Sequence, residues 1–121
     1  MIRLKRNMRM KSRGEFSRVR REGKSFIGRY LVLGCLPDSG IVPRLKFGII
    51  LTRKVGNAVI RNRVRRRLRG ILSELGEALA FSGYLVMIPR RRAPSATFDE
   101  LRNDWKKLVA KAGIVSDSRL K

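Results

Sequence analysis

Hydrophobic positions along this chain fall in runs of changing period, and each change marks an element. Phe16 and Val19 share one side of a short helical stretch that opens with Ser12 and Glu15. That S-x-x-E spacing is a capping box, in which each side chain satisfies a free backbone N–H of the first turn, so a helix is predicted from Arg13 to Glu22. Gly23 is expected to stop it in the left-handed conformation that glycine adopts without steric cost. Tyr30 to Leu36 reads as a strand apolar on both faces. The segment from Pro37 to Gly40 has turn chemistry, and Pro43 ends the loop. Leu45, Phe47, Ile49 and Leu51 then alternate with Lys46, Gly48, Ile50 and Thr52, the pattern of a strand with one core face. Two strands joined by a short loop predict an antiparallel hairpin.

From Ala58 to about Ala80 the period becomes helical, with Ile60, Val64, Leu68, Ile71, Leu75 and Leu79 in one continuous stripe. Such a helix is roughly 33 Å long at about 1.5 Å per residue. Tyr84 to Ile88 is a short buried strand running into Pro89. A second capping box, Thr97 with Glu100, opens a last helix expected to bury Phe98, Leu101, Trp105, Leu108 and Ala112 before Gly113 stops it. The order helix, strands, helix, strand, helix predicts an α+β fold, a small two-layer sandwich with helices covering an incomplete sheet. The 121 residues suit one domain, with about 1–11 and 114–121 expected to be flexible.

Charge changes the picture more than size does. Thirty Lys and Arg against nine Asp and Glu give +21, a self-repulsion that weakens the compact state unless an anion neutralises it. Residues 1–69 carry 21 basic and 3 acidic side chains, and residues 70–121 carry 9 and 6. A polyanionic partner is expected on the first 69 residues. Cys35 is the lone cysteine and histidine is absent, which excludes an intrachain disulfide, a multi-thiolate zinc site and histidine general-base chemistry. Neither a secretory signal nor a run of eighteen apolar residues is present. A cytoplasmic location without a membrane partner is expected, although an Arg-rich, acid-poor start also fits an organellar transit peptide.

The densest chemistry lies from Arg53 to Arg69, with eight basic and no acidic residues. Around Val64, the apolar side chains Ile60, Leu68, Ile71 and Leu75 project within about 40° of one line. Arg61, Arg65 and Arg69 form a row beside that line, Asn62 and Arg66 the next row, and Arg63 and Arg67 the opposite flank. Like charges four residues apart destabilise an isolated helix by a few tenths of a kcal/mol per pair, a loss that bound phosphates reverse. Arginine suits phosphate because its planar fork takes two oxygens or stacks on a base. Gly56 permits an unusual turn before the helix, and free N–H groups after Asn57 can receive an anion. Asn57 also fits a simple N-cap, Phe16 a core position as well as a base platform, and Arg90 to Arg92 a solvated loop as well as a backbone contact. Trp105 and Cys35 read as core.

The run Lys54-Val-Gly-Asn-Ala, continued by Arg61-Asn-Arg63 on the following helix, closely resembles the signature of the bacterial ribonuclease P protein family, over nearly the whole chain. The resemblance implies an α+β fold in which the strands on either side of that helix form a left-handed crossover. It further implies a division of labour in which a large RNA, with magnesium, removes the 5′ leader of precursor tRNA while the protein binds that leader. No catalytic residue, bound cofactor or obligate protein partner is expected in the chain itself. By position Arg53, Lys54, Asn57, Arg61, Asn62, Arg63, Arg65, Arg66 and Arg69 match the family's RNA-contacting segment, and Phe16 matches an aromatic at the edge of the leader cleft. Arg20 and Gly34 stand where some members carry aromatic side chains, so leader binding here is expected to lean more on charge and less on base stacking.

Two rivals compete with that reading. A protein-only nuclease needs two or three carboxylates gathered around magnesium, whereas the nine acids are scattered in sequence and Glu15, Asp99 and Glu100 already serve helix starts. A basic ribosomal or nucleic-acid-packing protein shares the charge but not the Arg-Asn-Arg signature.

Overall fold

The computed structural model describes residues 2–115, and within them the local signals of the sequence are realised first. Helix α1 spans Arg13–Glu22, with Ser12 accepting from the Glu15 N–H and Glu15 accepting from the Ser12 N–H. Helix α3 spans Phe98–Lys111 behind the matching Thr97 and Glu100 box. Helix α2 spans Ala58–Leu75, capped by Asn57 Oδ1, which accepts from the Ile60 N–H at 3.0 Å. Gly113 ends α3 at φ +70°, the left-handed stop that glycine favours.

Between the helices run β1 (Lys24–Ile27), β2 (Leu31–Pro37), β3 (Leu45–Ile49) and β4 (Gly83–Pro89). They form one sheet in the order β1-β2-β4-β3. β2 pairs antiparallel with β1 and with β4, with Leu33 opposite Phe26 and Met87. β3 pairs parallel with β4, Phe47 opposite Leu85, so β3, α2 and β4 make a parallel βαβ unit. The expected β2–β3 hairpin is therefore absent, because β4 lies between them. The reason is burial: Tyr84 to Met87 are all buried, which demands a central strand covered on both faces, whereas β3 carries the half-exposed Lys46 and sits at an edge.

Alternation along the strands makes two unequal cores. Leu31, Leu33 and Cys35 of β2, Leu45 and Phe47 of β3, and Leu85 and Met87 of β4 meet Val64, Leu68, Ile71 and Leu72 of α2 and Leu101, Trp105, Leu108 and Val109 of α3. On the opposite face only Met10, Val19, Leu36, Tyr84 and Val86 are buried together, under α1. The α+β architecture is as expected, with α1 placed on the face away from α2 and α3.

Several local expectations need correction. Gly23 caps α1 in an extended conformation, φ −84°, and its need for glycine is space: a Cβ there would lie 2.5 Å from the Val19 carbonyl oxygen and 2.6 Å from that of Cys35. α2 ends five residues early, because Gly76, a poor helix former, begins a 3₁₀ turn over Gly76–Ala78. The 18-residue helix is thus about 27 Å long, and Leu79 is buried from an extended segment bridged to Val115. Phe98 is 38% exposed, because it stands on the first turn of α3 with its ring beside the bare Gly70 of α2. Strand β1 is unannounced by any alternation, since three of its four side chains are exposed.

The N-terminal segment, expected to be flexible, has specific partners. The Ile2 N–H donates to the Ser73 carbonyl, the Ser73 hydroxyl donates to the Ile2 carbonyl, and the Met10 N–H donates to the Phe47 carbonyl at 2.8 Å. At the other end Ile114 is buried; most of the 114–121 tail expected to fray lies outside the described residues. Among the described residues no helix is long and apolar enough to cross a membrane.

One buried carboxylate fixes the turn between β1 and β2. Asp104 of α3 accepts from the backbone N–H groups of Arg29, Tyr30 and Leu31 at 2.8–3.1 Å. Gly28 is required there, since a Cβ would fall 2.6 Å from the carboxylate. Hydrogen bonds to a charged group are worth about 1.5–3 kcal/mol each, so this residue ties α3 to the sheet.

Candidate nucleic-acid interface

The arginines of α2 owe their position to the apolar stripe beneath them. Val64 and Leu68 are fully buried, which turns the intervening side chains outward and to the flanks. Gly56, at φ +151°, makes the turn into the helix, and a Cβ there would lie 2.8 Å from the Ile60 side chain.

The two flanks of α2 differ. On one, Arg67 reaches the Ala96 carbonyl at 2.9 Å. On the other, Arg65 and Arg69 stand at the junction of two depressions. The first is a shallow hollow of about 550 Å³ on the outer face of α2, lined by Val59, Asn62, Arg65, Arg66 and Arg69. Val59, 76% exposed, is its apolar member. Arg65 donates to the Asn62 Oδ1 within it. The second is a groove of about 180 Å³ at the outer edge of β3, lined by Phe47, Gly48 and Ile49 together with Arg65 and Arg69 of α2, Phe16 of α1, and Arg9 and Met10.

Phe16 in turn belongs to a third depression. This cleft of about 360 Å³ lies between α1 and the sheet, walled by Phe16, Ser17, Val19 and Arg20 of α1 and floored by Gly34, Ile50, Val86 and Ile88, with Ser25 at the β1 side. Gly34 contributes no side chain to that floor, and a Cβ there would be in ordinary contact with Val19 at 3.6 Å. Arg65 and Arg69 border both of the first two depressions and Phe16 borders both of the last two, so the three lie in a row, a segmented trench.

Of the residues singled out from sequence, Asn62, Arg65, Arg66, Arg69 and Phe16 line this trench. Arg53, Lys54, Asn57, Arg61 and Arg63 lie outside its three depressions. Arg53 and Lys54 are exposed in the turn before α2, Arg63 is exposed, Arg61 is half-buried, and the Asn57 oxygen serves the helix cap. Arg9 and Met10 were missed, because a lone arginine in an aperiodic terminal segment has no pattern to mark it.

Electrostatics keep the trench positive. Among the described residues, none of Arg61, Arg63, Arg65, Arg66 and Arg69 is in an ion pair; the carboxylates have other neighbours. Glu15 meets Lys46 at 3.2 Å, Arg18 pairs with Asp38 at 2.7 Å and with Glu22 at 3.5 Å, and Arg102 pairs with Glu74 at 2.9 Å. Burial pushes the Glu15 carboxyl up, but the Lys11 and Ser12 N–H groups and the Lys46 ammonium outweigh it and hold it below 4.5. The hydrogen bond from Arg18 holds the Asp38 carboxyl low, aided by the Gly40 N–H. Glu100 is lowered by the Thr97 N–H and then by the Tyr30 hydroxyl. Among the described residues no group of three or more His, Cys, Asp and Glu comes together.

Known proteins resemble this chain in sequence and fold. The family profile described as Ribonuclease P matches residues 4–113. The ribonuclease P protein component of Shouchella clausii is 35% identical over 113 residues, covering 93% of this chain and 92% of that protein. That of Halalkalibacterium halodurans is 34% identical over 112 residues, covering 93% of each. Among solved structures, the RNase P protein of Staphylococcus aureus aligns with a TM-score of 0.81 at 24% identity, over 90% of this chain and 98% of that one. The RNase P protein of Thermotoga maritima aligns with a TM-score of 0.76 at 25% identity, over 85% and 96%. With the family profile matched over residues 4–113 and relatives above 30% identity covered along almost their full length, the chain belongs to the family of ribonuclease P protein components.

Proposed function

We propose that this chain binds ribonuclease P RNA through the outer face of α2 and guides the 5′ leader of precursor tRNA through the cleft beside α1, while the RNA performs the cleavage. The observation that carries this reading is the set of α2 arginines without carboxylate partners among the described residues, lining depressions that adjoin that cleft at Phe16. Guanidinium groups one turn apart along α2 suit successive phosphates, because each planar fork engages two oxygens. Arg53, Lys54 and Arg63, exposed around the same helix, extend the attraction for the bulky RNA beyond the trench. A single-stranded leader fits the narrower cleft, where Phe16 offers one stacking face and Arg20 a charge.

The role of the protein is positioning. It supplies cations and a shaped path, and the hydrolysis with its magnesium belongs to the RNA. The test is reconstitution with ribonuclease P RNA at low magnesium: cleavage of precursor tRNA is expected to rise several-fold when the chain is added. Equal rates with and without it would overturn the proposal.

A further inference from the structure

The groove at the β3 edge lies between the two surfaces assigned above, and its own construction points to an occupant. Three guanidinium groups border it, Arg9 from the N-terminal segment and Arg65 with Arg69 from α2, and no carboxylate lines it. Its remaining lining, Met10, Phe16, Phe47, Gly48 and Ile49, carries no charge. The Phe16 ring edge and the Met10 thioether converge over Gly48, where a Cβ would lie 2.5 Å from the Phe16 ring and 3.3 Å from the Met10 sulfur. Guanidinium groups beside the half-buried Phe16 match one nucleotide, with its phosphate on the guanidinium forks and its base against the Phe16 ring.

The N-terminal segment is placed for this task. Arg9 bridges to Phe47 along the free edge of β3, and Met10 donates to the Phe47 carbonyl. Further back, Ile2 and Ser73 exchange two hydrogen bonds, which tie the segment to α2 as well. Arg9 is therefore brought by backbone into the same groove as Arg65 and Arg69.

Resting on the RNA-binding reading, we infer that this groove is a single-nucleotide site, completed by Arg9, which passes single-stranded RNA from the outer face of α2 into the α1 cleft. The N-terminal segment is then part of the interface.

The test titrates the full chain with a single-stranded oligouridylate decamer across a series of potassium chloride concentrations. Wild type is compared with Arg9→Ala, Arg9→Lys and Arg3→Ala. Arg3 carries the same charge on the same segment but lines none of the three depressions. Arg9→Ala is expected to weaken binding about ten- to a hundredfold, the loss of one charge-assisted hydrogen bond. It should also flatten the slope of log affinity against log salt by about 0.7. Arg9→Lys is expected to keep the slope and lose part of the affinity, and Arg3→Ala to stay near wild type. Equal losses for Arg9→Ala and Arg3→Ala would show diffuse attraction in place of a site and overturn the inference. A wild-type chain that binds and stimulates cleavage, beside an Arg9→Ala variant identical to it, sinks the inference and spares the broader reading. A wild-type chain that does not bind sinks both.

Discussion

The sheet presents two faces that are built differently from the same four strands. Leu31, Leu33, Cys35, Leu85 and Met87 point to the side that α2 and α3 seal, around the fully buried Trp105, Leu68 and Ile71. One residue along, Gly34, Leu36, Tyr84, Val86 and Ile88 point to the side that α1 covers only in part, where the cleft opens. Cohesion is concentrated on the first side, which lets the second keep uncompensated charge and an open floor. The arginine helix belongs to both: its buried stripe holds the sealed core, and its flank forms the rim of the trench.

Substitutions can break or sharpen this division. The largest effect is expected from Leu68→Ala, which leaves a cavity under α2 and should cost about 2–5 kcal/mol, measured by urea unfolding. A near-native midpoint would show that the sealed face is not the source of stability. Phe16→Ala, on the open face, should lower affinity for a single-stranded leader by about 1–3 kcal/mol, the usual worth of one base stacked on an aromatic ring. Being half-buried, it should cost less stability than Leu68→Ala, and the reverse ranking in paired unfolding and binding assays would dissolve the distinction. Arg69→Ala should leave unfolding within about 0.5 kcal/mol of wild type. In binding to ribonuclease P RNA it should reduce the salt slope by about one unit; an unaltered slope would mean that this guanidinium meets no phosphate.

The smallest effect concerns Glu15, which anchors the start of α1 through Lys46 of β3. Its folded carboxyl lies below its ordinary value of 4.5, so its contribution to stability is present above pH 4.5 and is lost as pH falls through the folded value. Glu15→Gln should therefore lower the melting temperature slightly at neutral pH and converge with wild type as pH falls below 4.5, which shallows the acid-induced decline. Parallel declines in the two proteins would refute this.

What could be read from sequence was what is encoded locally. Both capping boxes, the Asn57 cap and the α2 stripe depend on residues within a turn or two of each other, and the helices appear where those signals place them. Sheet order is a property of distant pairings. Nothing in Leu45 to Ile49 states whether its neighbour is Leu31 to Pro37 or Gly83 to Pro89, and the assumption of the shorter connection misplaced β3. β1 escaped notice because an exposed edge strand needs no alternation. The candidate site was legible to the same degree. Asn62, Arg65, Arg66 and Arg69 follow from helical periodicity, whereas Arg9 reaches the trench through one backbone bridge to Phe47 that no pattern predicts. Arg20 and Gly34, noticed in sequence as departures from an aromatic-lined cleft, do lie in the cleft, one on its wall and the other on its floor.

The central claim is that a rigid, carboxylate-free arginine flank holds RNA while the RNA does the cutting. Its most direct measurement is precursor tRNA cleavage by ribonuclease P RNA at low magnesium with the double variant Arg65→Ala/Arg69→Ala. At protein concentrations where wild type gives its full stimulation, the variant is predicted to leave the rate near that of RNA alone. Stimulation equal to wild type would contradict the account.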